Sequence, residues 1–103
     1  MIQYNEEEIK QYIQGKRVTL FMSGEETRPK HWASLCAIEI LKMCNTEFRA
    51  INILERPVMS NLIKKYSKWP MFPQLFIDGE FIGGSHMMIE MYQSGNLQKI
   101  IHN

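Results

Sequence analysis

Two periods of apolar residues run along this chain, and they divide it into alternating elements. Ile9, Tyr12 and Ile13 recur at helical spacing behind Asn5-Glu6-Glu7-Glu8. That start carries an Asn cap, a Glu three residues later and acids in the first turn, and Gly15 suits the position just past a helix end. Arg17-Val18-Thr19-Leu20-Phe21-Met22 is β-rich and short, which predicts a buried strand. Ser23 to Lys30 holds Gly24 and Pro29 among polar residues and reads as a loop. His31 to Cys44 is helical, with Ala33, Ala37, Ile40, Leu41 and Cys44 as its inner stripe. Phe48 to Leu54 reads as a second strand. Pro57 opens a third helix on Met59, Leu62, Ile63 and Tyr66. Trp69-Pro70 breaks it.

The period then returns to two. Gln74-Leu75-Phe76-Ile77, Asp78-Gly79 and Glu80-Phe81-Ile82-Gly83 spell a hairpin with a two-residue turn. Gly83-Gly84 leads into a last helix capped by Ser85 and interrupted at Gly95 before Leu97, Ile100 and Ile101. The order is α-β-α-β-α-β-β-α. The βαβ unit demands parallel strands and the hairpin antiparallel ones. One mixed four-stranded sheet flanked by helices satisfies both, which is the thioredoxin-like α/β arrangement. The 103 residues fit one domain, 1–103, without a repeat or a linker.

Composition and charge narrow the function classes. The chain is 45% apolar and 22% charged, ordinary for a globular domain. Its net charge of +1 gives no field for nucleic acid, and Lys64, Lys65 and Lys68 read as a solvated helix end. No apolar run approaches the roughly 20 residues of a membrane span. Met1 to Glu8 is acidic and lacks the apolar stretch of a secretory signal, so the cytoplasm is the expected location. Cys36 and Cys44 lie eight positions apart on one predicted helix, roughly 12 Å at a rise of about 1.5 Å per residue, beyond disulfide reach. No C-x-x-C pair exists, so dithiol chemistry is absent from the pattern.

Three segments carry a family resemblance. Leu20-Phe21-Met22-Ser23-Gly24 with Pro29-Lys30-His31-Trp32-Ala33-Ser34 is similar to the Met-Lys-Gly loop and Pro-x-Cys-Gly-Phe-Ser helix start of monothiol glutaredoxins. Tyr66 to Phe76, with Trp69-Pro70-Met71-Phe72-Pro73-Gln74 at its centre, resembles their Trp-Pro-Thr-x-Pro-Gln signature. Phe81-Ile82-Gly83-Gly84-Ser85-His86, then Ile89 to Gly95, resembles their Gly-Gly-x-Asp segment and closing helix. The match runs from about Val18 to Ile101 and is nearest to the bacterial single-domain form.

The resemblance implies a glutathione-linked redox protein that carries a [2Fe–2S] cluster between two subunits, each giving one cysteine and one glutathione. A thiolate is needed there, because it attacks disulfides and ligates iron, and the helix dipole favours it. By resemblance Pro73 is a cis-proline, and Phe72 and Ser85 lend backbone groups to glutathione. The remaining family positions are altered. His31 stands at the cysteine, Trp32 at the glycine beside it, Ser23 at the loop lysine and Ser60 at an arginine on the third helix. Met71 replaces a threonine, and His86 the aspartate for the glutathione ammonium. Each charge-assisted hydrogen bond is worth about 1.5–3 kcal/mol, so losing three weakens binding by several orders of magnitude.

Two function classes follow. One keeps the family's iron–sulfur and glutathione role through His31, since histidine can replace cysteine on a [2Fe–2S] centre, with a homodimer only where a cluster is bound. The other is a non-catalytic binding module whose rebuilt groove, around Trp32, Met71 and Phe72, takes a protein partner. His31, His86 and Met71 around one cleft would also suit a soft metal such as Cu(I). Cys36, five residues past His31, turns roughly 140° away from it and is expected to face the core, with Cys44 deeper still.

Overall fold

The computed structural model describes residues 6–103, so the expected Asn5 cap lies outside the described residues. The elements are α1 (Glu6–Gln14), β1 (Val18–Met22), β2 (Gly24–Glu25), β3 (Arg28–Pro29), α2 (Trp32–Met43), β4 (Arg49–Asn52), α3 (Pro57–Ser67), β5 (Gln74–Ile77), β6 (Glu80–Gly83), α4 (Ser85–Ser94) and α5 (Asn96–Ile101). A 3-10 turn, Ile53–Glu55, joins β4 to α3.

Four strands form one mixed sheet in the order β4-β1-β5-β6. β1 runs parallel to β4, with Leu20 opposite Ala50, and antiparallel to β5, with Leu20 opposite Leu75. β6 returns antiparallel to β5 through the Asp78-Gly79 turn, whose residues have φ of 51° and 81°. Positive φ at both central positions is what a tight hairpin needs.

Strand alternation sends side chains to two cores, one on each face. Val18, Leu20, Met22, Leu75 and Ile77 pack under α2, α4 and α5 against Ala37, Ile38, Leu41 and Leu97. Phe21, Ile51 and Phe76 pack under α1 and α3 against Ile9, Ile13, Met59 and Ile63. Phe76 is at the centre of the second core, edge-on to Phe21 at 5.6 Å between ring centroids and 5.5 Å from Phe81.

Three sequence expectations need correction. The 23–30 segment is not simply a loop: Gly24 and Glu25 pair with Pro29 and Arg28 in a two-stranded ribbon. Gly24 has φ of 92°, and a Cβ there would lie 2.6 Å from the Arg28 oxygen and the Lys30 nitrogen, so only glycine fits. Ser85 does not cap α4; Gly84 is the N-cap, and no side chain accepts from the exposed first turn. The second strand is shorter than 48–54, because the Asn52 side chain accepts from Leu54 N and starts the 3-10 turn.

Phe76→Ala should destabilise the fold by about 3–5 kcal/mol, because it empties a fully buried aromatic site between the sheet and α3. Urea unfolding measures this. A loss under about 1 kcal/mol would mean that the site collapses around the smaller side chain.

Candidate functional site

A groove of about 410 Å³ opens between the segment before β5 and the start of α4. Trp69, Met71, Phe72 and Pro73 form one wall, and Gly83, Gly84, Ser85, His86 and Met87 form the other, with Phe81 and Ala33 between. The Phe72–Pro73 peptide bond is cis, as the resemblance implied.

The first wall is held by Gln74, which is fully buried. Its amide donates to the Trp69 oxygen at 2.9 Å and to the Met71 oxygen at 3.0 Å, fixing the loop from which both side chains project. Trp69 lies over Phe81 at 6.4 Å, which joins the loop to β6. The second wall is fixed by close packing, because a Cβ at Gly83 would meet the Met87 Cβ at 2.7 Å.

Of the residues expected here, Met71, Phe72, Ser85 and His86 line the groove. His31 and Trp32 do not. His31 is the exposed N-cap of α2, in extended conformation and making no side-chain cap bond. Trp32 begins the helix 72% exposed. Ser23 and Ser60 are both buried, away from the lining residues. Ser23 is held by its own backbone N–H, which donates to Ser34 Oγ at 3.1 Å.

Met71 is 64% exposed and Met87 43%, so with Trp69 they give the groove an apolar rim. His86 is paired along α4 with Glu90, Nε2 to Oε1 at 3.3 Å. Among the described residues no group of three or more His, Cys, Asp and Glu side chains is placed to hold a metal.

Sequence reasoning missed four residues, Met87 on the second wall among them. Lys64 belongs to no solvated helix end: it is half-buried and its ammonium lies 5.7 Å from the Phe72 ring centroid. It follows Ser60 by one turn of α3, which places a cation beside the groove where the altered position has none. Ser34 was in the motif, but its bond to Ser23 needed the fold. Asn52 accepts from Gly24 N at 3.0 Å and so ties the β2–β3 ribbon to β4.

The cysteines are both free. Cys44 is buried as expected, and burial pushes its thiol above the ordinary value of 9.0. Cys36 does not face the core: it is half-buried in a separate groove between α2 and α4, with Leu35, Met43, Ile89 and Tyr92. The buried arc of α2 is centred on Ser34, Ala37, Ile38 and Leu41, and steps of about 100° put Cys36 roughly 150° from its middle.

With the geometry in view, the comparisons with known proteins are consistent. The glutaredoxin family model matches residues 18–82. The chain belongs to the glutaredoxin family. It is 40% identical over 95 residues to Glutaredoxin 4 of Buchnera aphidicola, covering 92% of this chain and 88% of that one. It is 39% identical over 95 residues to Glutaredoxin 4 of Escherichia coli strain K12, covering 92% and 83%. Among solved structures, reduced apo GrxS14 from poplar superposes with a TM-score of 0.81 at 40% identity, covering 91% of this chain and 86% of that one. Other glutaredoxin relatives are named as monothiol proteins, among them one from Synechocystis at 38% identity over 93 residues, covering 90% and 87%. No helix among the described residues is long and apolar enough to cross a membrane.

Burial separates the two thiols chemically. Alkylation with iodoacetamide near pH 8 should label Cys36 well before Cys44, read by mass spectrometry of the tryptic peptides; equal rates would contradict the burial. The raised Cys44 value also fixes a sign. Above about 9 the unfolded chain gives up this proton more readily than the folded one, so stability falls as pH rises through the folded value. Cys44→Ala should have a shallower alkaline decline in urea midpoint than the parent.

Proposed function

We propose that this glutaredoxin-fold chain has lost thiol–disulfide chemistry and is a binding module whose apolar groove receives a segment of a protein partner. The observation that supports it best is the start of α2. On the family resemblance this is where the reacting thiolate would sit, and the residue here is His31. The two thiols are elsewhere, Cys36 in the α2–α4 groove and Cys44 in the core.

The family's two cofactors do not match the side chains present. A [2Fe–2S] cluster asks for a thiolate at the helix start, and none is there, so the residues do not fit it. Glutathione asks for cations and a carboxylate around the groove. Ser23 and Ser60 are short, neutral and buried, and His86 is a base where an acid would hold the ammonium. These residues do not fit glutathione either. What the groove offers instead is the ring of Trp69, the thioethers of Met71 and Met87, and the cis-proline backbone at Phe72. Burying such a surface gains about 25 cal/mol per Å² of apolar area. The same surface no longer selects a small anion.

One observation favours a second reading, in which some glutathione-linked role is retained. Lys64 over Phe72 supplies one cation to the groove, and the backbone of Phe72 keeps the cis-proline geometry. One cation recovers about one of the three lost charge-assisted bonds, roughly 1.5–3 kcal/mol, and leaves the helix start without a thiolate.

The assay coupled to glutathione and its reductase should give turnover at blank level, and His31→Cys alone should leave it there. Anaerobic cluster reconstitution of the parent should give no iron–sulfur absorbance. Recovery of full activity by His31→Cys would show that the ligand site is intact and only the thiol is missing. Turnover in the parent that disappears in Cys36→Ser would show that the second groove carries the chemistry.

A further inference from the structure

We propose that this chain pairs with a second copy of itself through the outer face of α2, in a two-fold contact that needs no cluster. The proposal goes beyond the reading above and stands whether or not the groove beside Trp69 takes a partner.

α2 is apolar on both sides. Of its twelve residues only Glu39 and Lys42 carry charge. Ser34, Ala37, Ile38 and Leu41 are buried on the inner side. Steps of about 100° gather Trp32, Leu35, Cys36, Glu39 and Met43 into one stripe, roughly 100° wide, on the opposite side. Trp32, Leu35 and Met43 are exposed there. A surface helix ordinarily turns a polar face outward, and a helix that is apolar all round is one that is covered. Within the chain α4 covers only one flank of the stripe, through Ile89 and Tyr92.

Shape selects the second copy as the occupant. The stripe is a ridge, and beside it a groove of about 410 Å³ runs between α2 and α4. Ridge and groove on one patch make that patch self-complementary. In a two-fold arrangement the α2 ridge of each copy enters the α2–α4 groove of the other. Antiparallel α2 helices centred between Ala37 and Ile38 set each Trp32 against Met43 of the second copy, a favourable sulfur–aromatic contact.

Charge and area fit the same occupant. The net charge of +1 gives two copies little repulsion, and the stripe, with Glu39 as its one charge, selects neither an acidic nor a basic partner. Two helices side by side along the length of α2 offer on the order of 400–600 Å² per copy. A standard stable complex buries about 800 Å² per partner, so this dimer is weak and forms with rising concentration. Glu39 also weakens it, because the contact takes its carboxylate out of water.

Sedimentation velocity of the metal-free protein, without glutathione, tests this between about 20 µM and about 1 mM. The average sedimentation coefficient should rise with concentration toward that of a dimer. Leu35→Lys and Met43→Lys, both at exposed positions, should each hold the protein monomeric across that range with the urea midpoint unchanged. Glu39→Gln should dimerise at several-fold lower concentration. The two Cys36 residues of the dimer lie roughly 10 Å apart, so a bis-maleimide of that span should join them, and Met43→Lys should abolish the cross-link. A parent that stays monomeric at about 1 mM would overturn the proposal. So would a dimer that survives both lysine variants, or one dissolved only by Met71→Lys, which would put the contact at the groove beside Trp69.

Discussion

β5 is the constraint on which the rest of the molecule depends. All four of its residues, Gln74 to Ile77, are buried, with β1 on one side and β6 on the other. Leu75 and Ile77 fill one core and Phe76 the other, so the strand joins both faces of the sheet. Its first residue then reaches back. The Gln74 amide holds the carbonyls of Trp69 and Met71, and this sets where the groove's first wall stands. A buried amide committed to two backbone oxygens in a low-dielectric interior is costly to break, so the groove inherits the rigidity of the sheet. The fold core and the site are parts of one packed unit.

On the proposed function, that coupling lets the groove keep its shape while side chains around it depart from the family pattern. The Gln74 amide fixes the backbone of one wall, and the close Gly83–Met87 approach fixes the other. The positions at which the family resemblance expects charge belong to other elements: Ser23 just after β1, Ser60 on α3, His86 on α4. Such side chains can be exchanged without disturbing β5. What results is a glutaredoxin frame around an apolar groove, with one cation, Lys64, set over Phe72.

Much of this was legible from the residues alone. The hairpin was plain because Asp78-Gly79 sits between two alternating runs, and a tight turn asks for those residue types. Proline and glycine marked α3 and the break at Gly95, and the period-two runs located the sheet. Where the reading erred, the deciding contact was distant in sequence. The β2–β3 ribbon has only polar and turn residues, so nothing in its pattern announced pairing. Ser85 looked like a cap, yet the backbone at Gly84 is the extended residue and Ser85 is already helical. Cys36 was correctly turned away from His31 but wrongly sent inward, because helical angle gives direction without saying what covers it; α4 covers it only in part. Met87 and Lys64 entered the site only once α4 and α3 were placed.

The central claim is that the groove no longer selects glutathione, and amide chemical-shift mapping with reduced glutathione tests it most directly. At millimolar ligand the account expects only small, linear, unsaturating changes at Phe72, Ser85 and His86. Saturable shifts centred on those three residues and on Lys64 would contradict it, and would return the chain to the glutathione-binding glutaredoxins.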